Sequence, residues 1–470
     1  MIATIVILGA SGDLTSRFLM PAIMRLYEAA ELPAGFRIVG LARDDWDTAA
    51  FRRHLESKIP PSGKSGSPAG AARDAVLAGT EYHPVDVTDR TQLAERLGKE
   101  TQPVVVYLAL PPSLFKPTIG TLATFRLPKG SKLVVEKPFG TDLASACDLN
   151  RLLHESFPEQ DVFRLDHFLG KQTVQNILGL RFANRVFEPL WNAQHIERVE
   201  IVWDETLTAA GRASFYDGTG ALRDMVQNHL LQLLALVAME PLHSLDERTL
   251  RDRKVDLFRA VRRLSNEEVD KHTVRGRYGK GTMDDREVPA YVDEAGVDPG
   301  RNTGTFAHVA LSIDNWRWAG VPFVLRTGKA LGRNRREVVV YFKPVPHVAF
   351  GQCPQPRSNV LRLELAPERI ALSVNVNKPG DLFAMEQVAL DRSFGPEGLP
   401  AYGRLLLDVL NGDPMLSIRD DEAEESWRIV EPILARWAEG AVPLVEYAAG
   451  AEGPLLLPSN GRFIEPATCK

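Results

Sequence analysis

The sequence predicts two parts of different fold class: an α/β part with a parallel sheet, residues 1–168, and then a larger α+β part with a mostly antiparallel sheet, residues 169–470. Two observations predict this division. In the first third, continuous apolar runs alternate with helix-like segments, as in a parallel sheet that is buried on both faces. After about residue 170, strand-like segments follow at hairpin-like spacing with few helices between them, which favours an antiparallel or mixed sheet.

Length and composition set limits on the function. A chain of 470 residues has room for about two to three domains. Its formal net charge of −5 argues against nucleic acid as the main partner. Cys147, Cys353 and Cys469 are far apart and form no CxxC pair, so we expect no metal site, no disulfide framework and a reducing, cytoplasmic location. No apolar run reaches the roughly 18 residues that a membrane span requires, so we expect no membrane partner.

In the first part, the strand Thr4–Leu8 leads through a glycine turn into a helix with one apolar face. That face is predicted to contain Phe18, Leu19, Ala22, Ile23 and Leu26. Three further strands are predicted at residues 36–41, 104–109 and 132–136. The Pro- and Ser-rich segment 60–68 is predicted to be a surface loop.

In the second part, an apolar helix near residues 221–239 interrupts a series of strands. These strands are predicted at residues 199–203, 306–313, 323–325, 338–342, 360–365 and 370–376.

The turn after the first strand has the chemistry of a phosphate-binding turn. It contains Gly9, Ser11, Gly12, Asp13 and Leu14, and it opens a helix. Glycines let the backbone approach a pyrophosphate, and the N-terminus of a helix offers unpaired N–H groups. A tight βα turn without a ligand is the alternative explanation. Because the turn follows a first strand, we predict a Rossmann-like dinucleotide-binding domain.

The end of the second strand, Arg43-Asp44, bears on the choice of dinucleotide. An arginine at this place accommodates the 2′-phosphate of NADP, whereas an acid binds the ribose hydroxyl of NAD. Arg43 therefore favours NADP, and Asp44 keeps NAD possible.

The octapeptide from Arg164 to Lys171, RLDHFLGK, combines an acid, an imidazole and an ammonium. His167 and Lys171 can donate to an anionic substrate, and Asp166 is left to orient a base from elsewhere in the chain. A solvated helix start with a buried ion pair is the alternative.

The apolar helix near residues 221–239 contains polar residues that need hydrogen-bond partners or a function, because buried polar groups must be satisfied. Asp224, Gln227 and Asn228 share one face of an α-helix, whereas His229, five residues after Asp224, is turned about 140° away. The carboxylate partner of His229 is therefore expected elsewhere. A buried core histidine without a catalytic role is the alternative.

Several of these segments resemble motifs of the glucose-6-phosphate dehydrogenase family. The similar segments are, in chain order, GASGDL from Gly9, YLALPP from Tyr107, EKPFG from Glu136, RLDHFLGK from Arg164, GRASFYD from Gly211, RDMVQNH from Arg223 and RTGK from Arg326. The resemblance runs from Gly9 to Pro454, which is nearly the whole chain.

The resemblance implies a role for each matched residue. It makes His229 the general base, Asp166 its orienting partner, and His167 and Lys171 the ligands of a sugar phosphate. The other implied substrate contacts are Lys137, Glu205, Asp224 and Lys329. The implied cofactor contacts are Gly9, Ser11, Gly12, Asp13, Leu14, Arg43, Ala109, Pro111 and Lys137.

The implied reaction is the oxidation of D-glucose 6-phosphate to 6-phospho-D-glucono-1,5-lactone with hydride transfer to NADP, the first oxidative step of the pentose phosphate pathway. The implied assembly is a homodimer or homotetramer. Two positions depart from the family pattern: Phe168 replaces a tyrosine, and Asn334 replaces a basic residue. They motivate a second reading, a dehydrogenase of another sugar or sugar phosphate. A catalytically silent nucleotide-binding regulator is the third.

Overall fold

The computed structural model describes residues 1–59, 68–348, 356–395 and 398–454, and these form two compact units. The first unit comprises Met1–Gln175, Leu242–Val255 and Pro396–Glu424. The second unit comprises Asn176–Pro241, Asp256–Gly395 and the chain from Glu425 onward. In the described residues, no helix is long and apolar enough to cross a membrane. Cys353, Cys469 and residues 60–67 of the predicted loop lie outside the described residues.

The first unit contains a six-stranded, wholly parallel sheet in the order β3-β2-β1-β4-β5-β6. Its strands are β1 Thr4–Leu8, β2 Arg37–Ala42, β3 Thr80–Pro84, β4 Val105–Leu108, β5 Lys132–Glu136 and β6 Val162–Leu165. This is the strand order of the Rossmann fold, in which the chain reverses direction across the sheet between β1 and β4. The predicted α/β class of this part is therefore confirmed.

The α-helices of the described residues, in order, are α1 Met20–Glu28, α2 Thr48–Lys58, α3 Pro68–Ala78, α4 Arg90–Leu97, α5 Phe115–Leu122, α6 Leu143–His154, α7 Gln172–Phe182, α8 Ala213–Asp217, α9 Leu231–Ala238, α10 Glu247–Ala260, α11 Asn266–His272, α12 Ala401–Asn411 and α13 Asp420–Ala438. Two π-helices, Thr15–Leu19 and Leu222–Leu230, run directly into α1 and α9.

The predicted apolar face of the first helix is correct except at Phe18. Leu19, Ala22, Ile23 and Leu26 are buried, whereas Phe18 is exposed. Phe18 lies in the π-helical segment, where the wider turn changes the angle between successive side chains. An α-helical wheel therefore places it on the wrong side.

Two segments from late in the chain pack within the first unit. Arg164 and Ile418 form an antiparallel bridge, and the buried side chains of Lys254 and Glu422 form an ion pair at 2.6 Å. A Cβ on Gly170 would lie 2.4 Å from the carbonyl oxygen of Ala401. Glycine at position 170 thus allows the start of α12 to approach the RLDHFLGK segment.

The second unit contains a nine-stranded sheet in the order β16-β15-β14-β13-β7-β12-β11-β8-β17. Its strands are β7 Ile196–Asp204, β8 Thr273–Gly279, β11 Phe306–Leu311, β12 Phe323–Gly328, β13 Arg335–Phe342, β14 Val360–Leu365, β15 Glu368–Lys378, β16 Asp381–Ser393 and β17 Leu444–Ala448. A separate hairpin pairs β9 Gly281–Met283 with β10 Arg286–Val288. Only the β7–β12 and β8–β17 pairs of the large sheet are parallel among the described strands, which confirms the predicted mostly antiparallel sheet.

The sequence failed to predict β3 and β6 of the first unit, although β6 is buried along its length. Several missed strands of the second unit are partly exposed. In β8 the burial alternates around charged residues such as Arg275 and Arg277, so no continuous apolar run marks the strand. The same holds for β16 and β17. The π-helix 222–230 packs against β7, β11 and β12 and is buried along most of its length.

Candidate active site

The glycine turn of the first unit has the geometry of a dinucleotide-binding turn. Gly9 has φ +86°, and a Cβ there would lie 2.3 Å from the carbonyl oxygen of Ala109. The N–H of Gly12 donates to the carbonyl of Gly9 at 3.0 Å, and the chain is helical from Asp13 onward. Position 9 therefore has no room for a side chain larger than hydrogen, and the turn leads into the N-terminus of a helix. The turn fits a pyrophosphate.

Ser11 and Leu14 are half-buried beside this turn, and Asp13 is exposed. Ala109 joins β4 to the turn, because its N–H donates to the carbonyl of Leu8 at 2.9 Å. The turn and the end of β4 thus form one edge of the sheet, where parallel strands bind ligands. Pro111 is exposed just beyond.

Arg43 and Asp44 are both exposed at the carboxyl end of β2, and they have different neighbours. Hydrogen bonds from Thr88 lower the pKa of the Asp86 carboxyl, and the nearby charge of Arg43 lowers it further. Asp44 lies near Tyr82, whose hydroxyl donates to the Asp44 carbonyl at 2.8 Å. Burial, aided by the charges of Asp44 and Asp45, raises the pKa of Tyr82 to about 12.

The turn after β6 fixes the orientation of Asp166. The carboxylate is buried, and its Oδ1 accepts the N–H of Phe168 at 2.9 Å. The N–H of Leu169 donates to the Asp166 carbonyl at 3.1 Å. Asp166 is thus held by its own turn, as an orienting carboxylate requires.

His167, Phe168 and Lys171 form one cluster with Tyr402 of α12. The His167 ring stacks on Tyr402 with an interplanar angle of 7°, and it meets the Phe168 ring edge-on at 4.9 Å. The Nζ of Lys171 lies 5.7 Å from the centre of the Phe168 ring. An imidazole and an ammonium therefore both lie beside the Phe168 ring, and both can donate to an anion.

A buried carboxyl, Glu136, lies behind this cluster. The hydroxyls of Tyr107 and Tyr402 both form hydrogen bonds with it. Burial raises the pKa of Glu136 to about 7, an effect that Asp166 adds to and that the two hydroxyls and Lys137 partly oppose. Tyr402 thus links Glu136 to the ring of His167.

Replacing Glu136 with glutamine should change how stability depends on pH. The pKa of Glu136 is raised from an ordinary 4.5, so its stabilising contribution is complete below that value and is lost as pH rises through about 7. The wild type should lose roughly 2 kcal/mol of unfolding free energy relative to Glu136→Gln between pH 5 and pH 8. Urea denaturation at the two pH values measures this difference.

The control for this experiment is Glu95→Gln, at an exposed glutamate of the same unit. Its stability difference from the wild type should stay constant with pH. A constant difference for Glu136→Gln as well would show that folding does not raise the pKa of Glu136.

In the second unit, Glu205 and Lys329 form an ion pair with 2.9 Å between Oε2 and Nζ. The Nε1 of Trp203 donates to the other carboxylate oxygen at 3.3 Å. The preceding arginine of the RTGK segment, Arg326, donates to both oxygens of Asp204 at 3.1 Å. Lys329 is therefore the charged residue of the RTGK segment that belongs to the site. Arg326 instead joins β12 to Asp204 of β7.

Tyr216 lies close both to this ion pair and to Asp224. The Nζ of Lys329 lies 5.2 Å from the centre of the Tyr216 ring. Burial raises the pKa of Tyr216 well above its usual value, and the charges of Asp224 and Glu205 add to the rise. Two carboxylates, an ammonium and a phenol thus share one polar region, which suits a polyhydroxylated ligand.

His229 is buried with 1% of its surface exposed, and it lies in the π-helix 222–230. Hydrogen bonds of a π-helix join residue i to residue i+5, so residues five apart lie on the same side. The predicted angle of about 140° between Asp224 and His229 is therefore wrong, because it assumed an α-helix. The two side chains project from the same side of the helix.

The polar neighbours of His229 are used by the fold. The side-chain amide of Gln227 donates to the Ser426 hydroxyl at 2.9 Å, and that of Asn228 donates to the Arg223 carbonyl at 3.1 Å. The side-chain amides of Gln227 and Asn228 are therefore satisfied by the second unit itself.

Asn334, the departure from the family's basic residue, ties down a loop. Its side chain exchanges two hydrogen bonds of 3.1 Å with the backbone N–H and hydroxyl of Thr206. The site still has a cation nearby, because Arg336, two residues after Asn334, lies 3.6 Å from Glu205. The Arg336 guanidinium also lies over the Trp203 ring.

The sequence reasoning missed several residues of these clusters, among them Glu136, Tyr216, Arg336 and Tyr402. Glu136 and Tyr216 lie inside quoted motifs, so their position beside other motif residues was a usable signal. No sequence signal pointed to Tyr402, because it lies more than 200 residues from His167 in the chain.

Comparison with known proteins covers nearly the whole chain. Residues 6–176 match the family model "Glucose-6-phosphate dehydrogenase, NAD binding domain", and residues 178–458 match "Glucose-6-phosphate dehydrogenase, C-terminal domain". The chain is 41% identical over 469 residues to glucose-6-phosphate 1-dehydrogenase of Zymomonas mobilis, covering 96% of each. It is 39% identical to the enzyme of that name from Bacillus subtilis, covering 96% of this chain and 95% of that one.

Solved structures give the same result. A glucose-6-phosphate dehydrogenase in complex with its substrate glucose-6-phosphate superposes with a TM-score of 0.87 at 32% identity. Glucose-6-phosphate 1-dehydrogenase from Mycobacterium avium superposes with a TM-score of 0.85 at 36% identity. Each alignment covers 96% of this chain and 95% of the other.

Proposed function

Because this chain belongs to the glucose-6-phosphate dehydrogenase family, we propose that His229 is the general base that takes the proton from the C1 hydroxyl of the sugar. The reaction is the oxidation of D-glucose 6-phosphate to 6-phospho-D-glucono-1,5-lactone, with NADP as the cofactor. The observation that carries the assignment is the buried imidazole on the π-helix, within the segment that matches the family motif. A general base contributes about 10²- to 10⁴-fold to the rate.

We assign the orientation of His229 to Asp166. Its carboxylate is held by the Phe168 N–H and would stabilise the imidazolium that forms when the proton is taken. Asp224 is a second candidate for this role because the π-helix puts it on the same side as His229.

The remaining polar residues bind the substrate. His167 and Lys171 hold the phosphate, supported by their places around the Phe168 ring. Glu205, Asp224 and Lys329 hold the sugar hydroxyls, supported by the ion pair and the shared Tyr216 neighbour. The resemblance adds Lys137 to both the substrate and the cofactor contacts. These fixed donors and acceptors orient the C1 hydroxyl toward its base.

The glycine turn fits the cofactor. Gly9, Ser11, Gly12, Asp13 and Leu14 would hold the pyrophosphate, with Ala109 and Pro111 beside them and Arg43 on the 2′-phosphate. When bound, NADP supplies the acceptor for the C1 hydride. We assign dinucleotide binding to residues 1–168 and substrate binding and dimerisation to residues 169–470.

The direct test is an assay of the purified chain with glucose 6-phosphate and either NADP or NAD, following the absorbance of the reduced nicotinamide. Rapid reduction of NADP with glucose 6-phosphate, and slow reduction with unphosphorylated glucose, is the expected result. Faster turnover with another sugar phosphate would favour the reading motivated by Phe168 and Asn334.

Replacing Lys171 with alanine should raise KM for glucose 6-phosphate about tenfold, because a charge-assisted contact to phosphate is lost while His167 remains. KM for unphosphorylated glucose should stay within about twofold. Lys116→Ala, which removes an exposed lysine paired with Asp148, is the matched control. Equal changes for both sugars would show that Lys171 does not contact phosphate.

We propose that the chain is a homodimer or homotetramer. Three exposed apolar side chains lie at one end of the large sheet: Val376 on β15, and Phe383 and Leu390 on β16. Among the described strands β16 is the last at this end, and such an edge favours association. Sedimentation should give a mass of two or four chains, and Leu390→Asp should reduce it. The exposed Leu245 of the first unit provides the control, Leu245→Asp. An unchanged mass for Leu390→Asp would place the contact elsewhere.

A cytoplasmic location is also proposed. Cys147, the one cysteine among the described residues, is a free thiol, as is usual in a reducing compartment.

A further inference from the structure

The second unit contains a cavity of about 420 Å³ that none of the roles above uses. Its walls are the segment 217–223, which runs from the end of α8 into the π-helix, the segment 300–304 and Arg275 of β8. Trp437 at the end of α13 and Gly440 just after it complete the lining. The volume lies in the range of small-ligand sites.

The charge of the lining is positive. Arg223, Arg275 and Arg301 line the cavity together with one carboxylate, Asp217, so three positive charges meet one negative charge. Asp217 is buried and already accepts hydrogen bonds of 3.1 Å from the Tyr291 hydroxyl and the N–H of Asp298. Asp217 also lies 3.6 Å from Arg301, so it offsets one of the three positive charges and leaves the lining with a net positive charge.

Arg275 is a half-buried cation of the lining. Its guanidinium donates to the carbonyls of Val442 at 2.8 Å and Trp437 at 2.7 Å, and in the described part of the chain it has no carboxylate partner. Burial lowers its pKa, which marks a charge removed from water without an opposite charge to compensate. Arg277, two residues along the same strand, is paired with Glu446 at 2.9 Å.

The backbone of the two segments suits an anion. The walls contain Gly218, Gly220, Gly300 and Gly304, and Gly220 has φ +69°. Without side chains at these positions, a ligand can come close to backbone N–H groups. Arg301 lies 3.6 Å from Asp217 and is half exposed, so it can turn toward a ligand at the mouth.

We propose that this cavity is a binding site for a phosphorylated small molecule, whose phosphate is held by Arg275, Arg301 and Arg223. Guanidinium groups match the geometry of phosphate oxygens with two parallel hydrogen bonds, and Leu222, Leu434 and Trp437 offer an apolar wall for the rest of the ligand. The segment 217–223 continues into the π-helix of Asp224 and His229, so a bound ligand would contact the residues that precede both. The site itself does not depend on the catalytic role of either residue.

Calorimetric titration of pyrophosphate into the full chain tests the proposal. The titration uses the Lys171→Ala variant, which weakens the proposed sugar-phosphate subsite, and saturating NADP, which fills the cofactor subsite. One further site should remain, and Arg275→Gln and Arg301→Glu should each weaken it at least about tenfold. The matched control Arg277→Gln should leave its affinity within about twofold.

Arg301→Glu is decisive if Arg275→Gln fails to fold, because the Arg301 side chain is 56% exposed and its contact with Asp217 is a long ion pair of 3.6 Å. The absence of a remaining pyrophosphate site would overturn the proposal. So would equal affinities in the Arg301→Glu and Arg277→Gln variants. Folding of each variant is checked by its thermal melting curve.

Discussion

Replacing His229 with asparagine is expected to lower kcat by about 10²- to 10⁴-fold while KM for glucose 6-phosphate changes little. Asparagine is polar and smaller than histidine, so the buried position stays filled, but no side chain remains to accept the proton from C1. Steady-state rates of NADP reduction measure kcat, and equilibrium binding of glucose 6-phosphate shows that the substrate still binds.

His195→Asn is the matched control, since His195 is an exposed histidine of the same unit and should keep full activity. The comparison of Asp166→Asn with Asp224→Asn then separates the two candidate partners. If Asp166 orients the base, Asp166→Asn should lower kcat at nearly constant KM, whereas Asp224→Asn should also raise KM through lost sugar contacts. Near-normal turnover in His229→Asn would remove His229 as the base.

Replacing Arg43 with alanine should weaken NADP binding about 10- to 100-fold and leave NAD nearly unchanged. A charge-assisted contact to the 2′-phosphate is worth roughly 1.5–3 kcal/mol, and NAD has no such phosphate. The ratio of kcat/KM with NADP to that with NAD is the measurement.

Arg53→Ala, at an exposed arginine of α2 in the same unit, should leave both cofactors unaffected. Asp44→Ala tests the neighbouring acid, which lies near Tyr82. Equal losses of NADP and NAD binding in Arg43→Ala would contradict the assignment. Loss of NAD use alone in Asp44→Ala would instead show that Asp44 serves the ribose of NAD.

The sequence by itself determined the parallel sheet, the glycine turn and the family. Strands β1 and β5 were predicted with their observed ends because both faces are buried, which requires a continuous apolar run. Gly9 was identifiable because only glycine fits a positive φ against the Ala109 carbonyl. The family resemblance, confirmed along both parts of the chain, rested on short motifs in which chemistry restricts the choice of residue.

The tertiary structure alone decided how the motif residues are supported. The π-helix changed the side on which His229 lies, because a wider turn leaves no mark in the apolar pattern. Tyr402 stacks on His167 only because a late segment packs against the first unit, and contacts across such a distance depend on shape rather than on local spacing. The same is true of Arg275. From the sequence alone, an arginine on a strand is expected to be solvated. Only packing shows that Arg275 is half-buried and that no carboxylate of the described residues pairs with it.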